Sequence, residues 1–286
     1  MSRRDAAPEA LADLATTGAE SRWASNGEVE VHVLDYGGDR RPLVVVPGIT
    51  SPAVTWDFVV RELRDLVRPV VLDVRGRGLS WLADSYTMDD YAADVEAVVD
   101  QLELVEPIVL GHSMGARIAT RTALRGTVDA ASWVVVDPPL CGPGRGGYPT
   151  PWSSFAEQLA EGYRGTTADE VRRFYARWPD AELALRARWL DTCDEAAVRA
   201  TYDHFVEDDF FAWWPAVPAP VAFVYGGASP VVTPEGAAEA ASANPRATVQ
   251  VVPGAGHMIP WDEHAAFLAV VRPLLELKNQ RGESVT

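Results

Sequence analysis

Short apolar runs and helix-length amphipathic stretches alternate through the first half of the chain. Residues 29–34 alternate apolar and polar side chains and predict an early, partly exposed strand. Residues 43–46, 70–72, 108–110 and 133–136 are continuous apolar runs instead. Continuous runs predict strands covered on both faces, as in a parallel sheet. Between them, residues 88–102 place Met88, Tyr91, Val95, Val98 and Leu102 at steps of three and four, which predicts a helix. Thr87 and Asp90 resemble a capping box at its start, with Asp in place of Glu. After Ser113, the small or branched residues Ala116, Ile118, Ala119 and Ala123 predict a second packed helix. The rhythm is that of βαβ units.

It breaks after Asp137. Residues 138–152 read PPLCGPGRGGYPTPW and fit no regular element. Residues 154–214 then carry helical patterns dense in aromatic side chains. Strand-like runs resume at 221–225 and 249–252, and a final helix is expected over about 263–277. The expected organisation is an α/β core built from 1–137 and 217–286, interrupted by a helical insertion over 138–216.

Composition narrows the partners. Lys plus Arg number 25 against 41 Asp plus Glu, a formal net charge of −16. Such a surface repels a phosphate backbone, so neither nucleic acid nor an anionic membrane is an expected partner. No stretch of 18 apolar residues occurs to cross a membrane. The N-terminal MSRRDAAPEALADL lacks the apolar core of a signal peptide, so a cytoplasmic location is expected. Cys141 and Cys193 are too far apart in sequence for a disulfide framework or zinc motif, and no metal is expected. A homo-oligomer is compatible with all of this.

Chemistry concentrates at three places. Gly111-His112-Ser113-Met114-Gly115 is G-x-S-x-G between a strand-like run and a helical pattern, the context in which a sharp turn exposes a serine hydroxyl. That hydroxyl needs a base. His257 follows the last strand-like run, in a loop that opens on the same sheet edge. His32 sits inside a strand and is expected to pack, and His112 to point away from the nucleophile. The acid is less routine, because the chain after Tyr225 reads Gly226-Gly227-Ala228-Ser229-Pro230 with no carboxylate. Asp137, at the end of the preceding strand, is the expected acid. Glu235, the competitor, is explained by its place in a first helical turn. Backbone N–H groups of Ile49 and Met114 are the expected oxyanion donors.

From about residue 25 to 278 the chain resembles the α/β-hydrolases. The motifs that carry this are GHSMG at 111–115, DVRGRGLS at 73–80 and GAGH at 254–257. The resemblance implies a mostly parallel eight-stranded sheet, with a helical cap after the sixth strand and no cofactor. Many members place the acid after the seventh strand, where this chain has Ser229-Pro230. Within the superfamily, PGITSPAVTWDFV at 47–59 and VVVDPPLCGPGR at 134–145 resemble amide hydrolases of nicotinate and vitamin B6 breakdown, whose acid follows the sixth strand. That likeness implies an amidase acting on a small unsaturated dicarboxylic amide, with an N-formyl amide first and an acetamidomethylene-type amide second. A serine esterase or lactonase, and a ligand-binding protein on the same fold, are the rivals. For a small anionic amide the expected binding residues are Thr50 and Arg145. Arg164, Arg172 and Arg177 are further candidates, while Arg75 is expected to brace its loop. Phe155, Trp178 and Trp189 are expected in the core of the insertion.

Overall fold

The apolar runs form strands because each supplies side chains to two cores at once. In the computed structural model, which describes residues 5–279, eight strands form one sheet in the order β1-β2-β4-β3-β5-β6-β7-β8. They are β1 (Glu20–Asn26), β2 (Val29–Asp35), β3 (Pro42–Val46), β4 (Arg68–Leu72), β5 (Ile108–His112), β6 (Ser132–Val136), β7 (Val221–Gly226) and β8 (Ala247–Val252). β1 and β2 pair antiparallel, as do β2 and β4, and every pairing from β4 to β8 is parallel.

Along β3, Val44 and Val46 join one core and Leu43 and Val45 the other. The first core takes the inner faces of the helices Met88–Gln101, Met114–Arg125 and Pro234–Ala243. The second takes Phe267, Val271 and Leu275 of the closing helix His264–Asn279. The helix Met88–Gln101 starts with the expected capping box. Asp90 N–H donates to Thr87 Oγ1 at 3.2 Å, and Thr87 N–H donates to Asp90 Oδ2 at 2.9 Å.

Two elements were not legible in the pattern. β1 is the sheet edge and mostly exposed, so ESRWASN shows no apolar alternation, and its place comes from pairing with β2. The helix Pro8–Thr17 buries only Ala10 and Thr17, too little for a readable stripe.

Between β6 and β7 the chain leaves the sheet. An irregular stretch precedes the helices Trp152–Arg164, Ala168–Arg172, Asp180–Trp189, Glu195–Glu207 and Phe210–Trp213. Two fully buried arginines from the core tie this insertion down. Arg77 donates to Ala197 O at 3.1 Å and to Thr201 Oγ1 at 2.8 Å. Arg117 donates to Phe205 O at 2.9 Å. Arg75 braces its own loop, with a bidentate pair to Asp94 at 2.7 and 2.6 Å. Among the described residues no helix is long and apolar enough to cross a membrane. Cys141 and Cys193 are both buried free thiols.

Candidate active site

At Ser113 the chain turns from β5 directly into the helix Met114–Arg125, and its φ of 55° lies in the left-handed region. A β-branched or bulky residue would resist this conformation. The turn also demands its glycines. A Cβ on Gly111 would stand 2.0 Å from Gly115 O, and one on Gly115 would stand 1.8 Å from Val46 O. Met114 opens the helix, so its N–H has no carbonyl one turn back to bond. Gly48 passes close enough that a Cβ there would touch Ser113 Cβ at 3.5 Å.

Three chain segments meet at that hydroxyl. His257 Nε2 lies 2.9 Å from Ser113 Oγ, and His257 Nδ1 lies 2.7 Å from Asp137 Oδ2. A carboxylate only accepts, so Nδ1 carries the proton and Nε2 offers its lone pair to the serine O–H. Asp137 is completely buried, also at a positive φ (48°), and two further donors hold its carboxylate. Gly226 N–H donates to Oδ1 at 3.0 Å, and Ser229 Oγ–H donates to Oδ2 at 2.6 Å. Ser229 thus stands after the seventh strand as a support for the carboxylate that comes from the sixth. Glu235 is exposed in the first turn of the helix Pro234–Ala243, where its own backbone N–H and then Thr233 hold its carboxyl below the usual range.

His112 supports His257 from behind. Complete burial, helped by the nearby His257, pushes its imidazole down to about 3, so it is neutral over the working range. Its Nε2 lies 2.9 Å from His257 O and donates there, fixing the backbone of the catalytic loop. His32 is packed as expected, between Asp73 at 2.7 Å and Ser21 at 3.0 Å.

The hydroxyl opens into a cavity of about 380 Å³. Gly48, Ile49 and Thr50 form part of its wall, and the insertion supplies Tyr148, Phe155, Gln158, Tyr175, Arg177 and Trp178. Phe155 and Trp178, expected in the core, also line the cavity. Trp189 is buried away from it and donates its indole N–H to Asp13 at 3.0 Å. Asp262 brings the cavity a carboxyl, which burial pushes up against the opposing effects of Arg177 and the Gly256 N–H.

Arg145 is a correction. It lies outside this cavity, where its Nε donates to Leu140 O at 3.0 Å and its other arm pairs with Glu239. The guanidinium stacks 4.0 Å over Phe211, so sequence position near the loop placed it wrongly. Arg145→Ala is accordingly expected to leave kcat and KM within about twofold of wild type, because a partly exposed pair of this kind contributes little. Arg172 pairs with Asp180 on the surface, and Arg164 is exposed. Only Arg177 of the candidate arginines reaches the cavity, and it is half-exposed and paired with Glu263.

Tyr148 was missed altogether. Its hydroxyl lies 3.1 Å from His257 Nε2 and within hydrogen-bonding reach of Ser113. Burial pushes the phenol far above its ordinary range, so it remains a donor. A tyrosine in a loop of glycines and prolines has no periodicity to mark it, and no sequence signal could have found it.

An alpha/beta hydrolase family model matches residues 43–270. The chain is a member of that family. An N-formylmaleamate deformylase of Pseudomonas putida is 41 % identical over 265 residues, covering 92 % of this chain and 98 % of that protein. A crystal structure of an N-formylmaleamic acid deformylase from Pseudomonas putida superimposes with a TM-score of 0.84 at 40 % identity, over 88 % of this hydrolase and all of the other chain. A 2-(acetamidomethylene)succinate hydrolase of Mesorhizobium japonicum is 27 % identical over 270 residues, covering 87 % of this hydrolase and 92 % of that protein. The hydrolase thus shares nearly its whole length with enzymes that cleave small amide substrates.

Proposed function

We propose that this hydrolase cleaves the C–N bond of a small unsaturated dicarboxylic amide, with N-formylmaleamate as substrate and formate and maleamate as products. The observation that carries the reading is the 41 % identity to an N-formylmaleamate deformylase over nearly the whole chain. The hydrogen-bonded line from Ser113 through His257 to Asp137 supports it chemically.

In the proposed reaction Ser113 Oγ attacks the formyl carbonyl while His257 Nε2 accepts its proton. The carbonyl oxygen becomes an oxyanion held by the N–H groups of Ile49 and Met114. His257 then gives the proton to the departing nitrogen, the C–N bond breaks, and maleamate leaves a formyl ester on Ser113. Water, deprotonated by the same imidazole, attacks that ester and releases formate. Asp137 keeps hold of the Nδ1 proton and stabilises the imidazolium.

Tyr148 faces the same nitrogen of His257, where the leaving group departs. Its O–H can donate to the departing maleamate nitrogen as the bond breaks. Tyr148→Phe is expected to lower kcat for amides by about 2- to 10-fold, the worth of one neutral hydrogen bond. An activated ester of similar size should lose much less, because its leaving group needs no such help. Equal losses on both would assign the hydroxyl to packing.

Substrate class is tested by steady-state comparison of N-formylmaleamate with its neutral terminal amide. A charge-assisted contact to the carboxylate predicts a kcat/KM advantage of about 10- to 150-fold for the anion. Equal values would leave a serine hydrolase without dicarboxylate preference. The net charge of −16 opposes anion capture at long range, so added salt should modestly raise this kcat/KM.

A further inference from the structure

With Arg145 outside the cavity, something else must meet the carboxylate. Arg186, on the insertion helix Asp180–Trp189, is 3 % exposed and takes no part in the mechanism above. Its NH1 donates to Thr50 O at 2.9 Å, and its NH2 donates to Thr50 Oγ1 at 3.0 Å and to Gln158 Oε1 at 3.1 Å. All of these acceptors are uncharged. Its Nε, equally buried, has no partner among the described residues. The guanidinium lies 4.7 Å over the ring of Tyr175.

The other arginines near the site differ in a way that matters. Arg177 lines the cavity, but its charge is paired with Glu263 and half-exposed to water. Arg77 and Arg117 are buried on uncharged acceptors too, yet their contacts tie the insertion to the core. Arg186 instead holds two side chains, Thr50 and Gln158, that form the cavity wall. A buried cation without a carboxylate is costly, and an anion brought in beside it recovers part of that cost. Thr50 is arranged to bring the two together. Because its Oγ1 already accepts from Arg186, its own proton is free to point into the cavity. Gln158 Oε1 is likewise taken, which leaves only its amide N–H groups to offer. One of those donates to Ser154 O at 3.1 Å.

We infer that Arg186 is the positioning residue that makes the cavity select a carboxylate, acting through the Thr50 hydroxyl and the Gln158 amide. The inference rests on the dicarboxylic amide reading above and names the residues that enforce it. The cavity's own carboxyl, Asp262, ends the short helix Ile259–Asp262 that follows His257.

The test uses maleamate and maleamide, which have the same size and differ by one charge. Their affinities for wild type, Arg186→Met, Arg186→Lys, Thr50→Val and Arg177→Ala are measured by calorimetry or by competition against any ester the enzyme turns over. Wild type is expected to prefer maleamate on the order of 10-fold or more, the low end of a charge-assisted contact. Arg186→Met should abolish that preference, Arg186→Lys should keep most of it, and Thr50→Val should cut it several-fold. A merely structural arginine would weaken both ligands alike and leave the ratio unchanged, which overturns the inference. So would a ratio lost in Arg177→Ala but kept in Arg186→Met. If Arg186→Met does not fold, Thr50→Val decides, since it leaves the arginine in place. The ratio is independent of turnover, so absence of N-formylmaleamate cleavage would defeat the proposed substrate without touching this result.

Discussion

Ser113→Ala is expected to lower kcat by about 10⁶-fold, the scale seen when a serine nucleophile is removed from such a triad. The protein should stay folded, because alanine keeps Cβ and loses only the hydroxyl's contacts with His257 and Tyr148. Substrate binding should persist, since the cavity wall is unaltered. The backbone at this position supplies a second reading of the same residue. With φ at 55°, a side chain is strained, so Ser113→Gly should be inactive yet more stable than Ser113→Ala, by about 1 kcal/mol. Thermal unfolding of both variants beside wild type checks this. Equal stability would mean that the turn is not strained.

Asp137→Asn is expected to cost about 10⁴-fold in kcat while leaving the fold intact. Asparagine can donate to His257 Nδ1, which then gives up its proton and leaves it on Nε2. An Nε2–H cannot accept from Ser113. Gly226 N–H can still be met by the amide oxygen, while Ser229 Oγ, which faces the position that becomes the amide nitrogen, must turn to accept from it. Glu235→Gln, by contrast, should be silent, since that carboxyl is exposed in a helix first turn. Exchange of these two outcomes would move the acid to the first turn of the helix Pro234–Ala243. Ser229→Ala should fall between them, with kcat down by about 10-fold or less for one lost hydrogen bond.

The parts of the molecule legible in the sequence are those whose physics is local. A strand buried on both faces must be apolar throughout, so β3 to β7 stand out where β1, an exposed edge, does not. Thr87 and Asp90 announce a helix because a cap is a contact three residues long. The turn at Ser113 shows itself through glycines that no other residue could replace. Asp137 was found by the absence of a carboxylate at 228–230, and Ser229 explains that absence by bonding to Asp137 itself. What could not be read were contacts between distant segments. Arg145 and Arg186 are alike as letters, and only the packing of the insertion sends one to Glu239 on the surface and buries the other behind Thr50. Tyr148 reaches His257 across 109 residues of chain, from a loop without periodicity.

The central claim is that Ser113 drives hydrolysis of the formyl C–N bond. Formate and maleamate released from N-formylmaleamate, measured together for wild type and Ser113→Ala, test it most directly. Wild type should release the two products in equal amounts, and Ser113→Ala should release neither above the uncatalysed rate. No formate from wild type, or an undiminished rate in Ser113→Ala, would contradict the account.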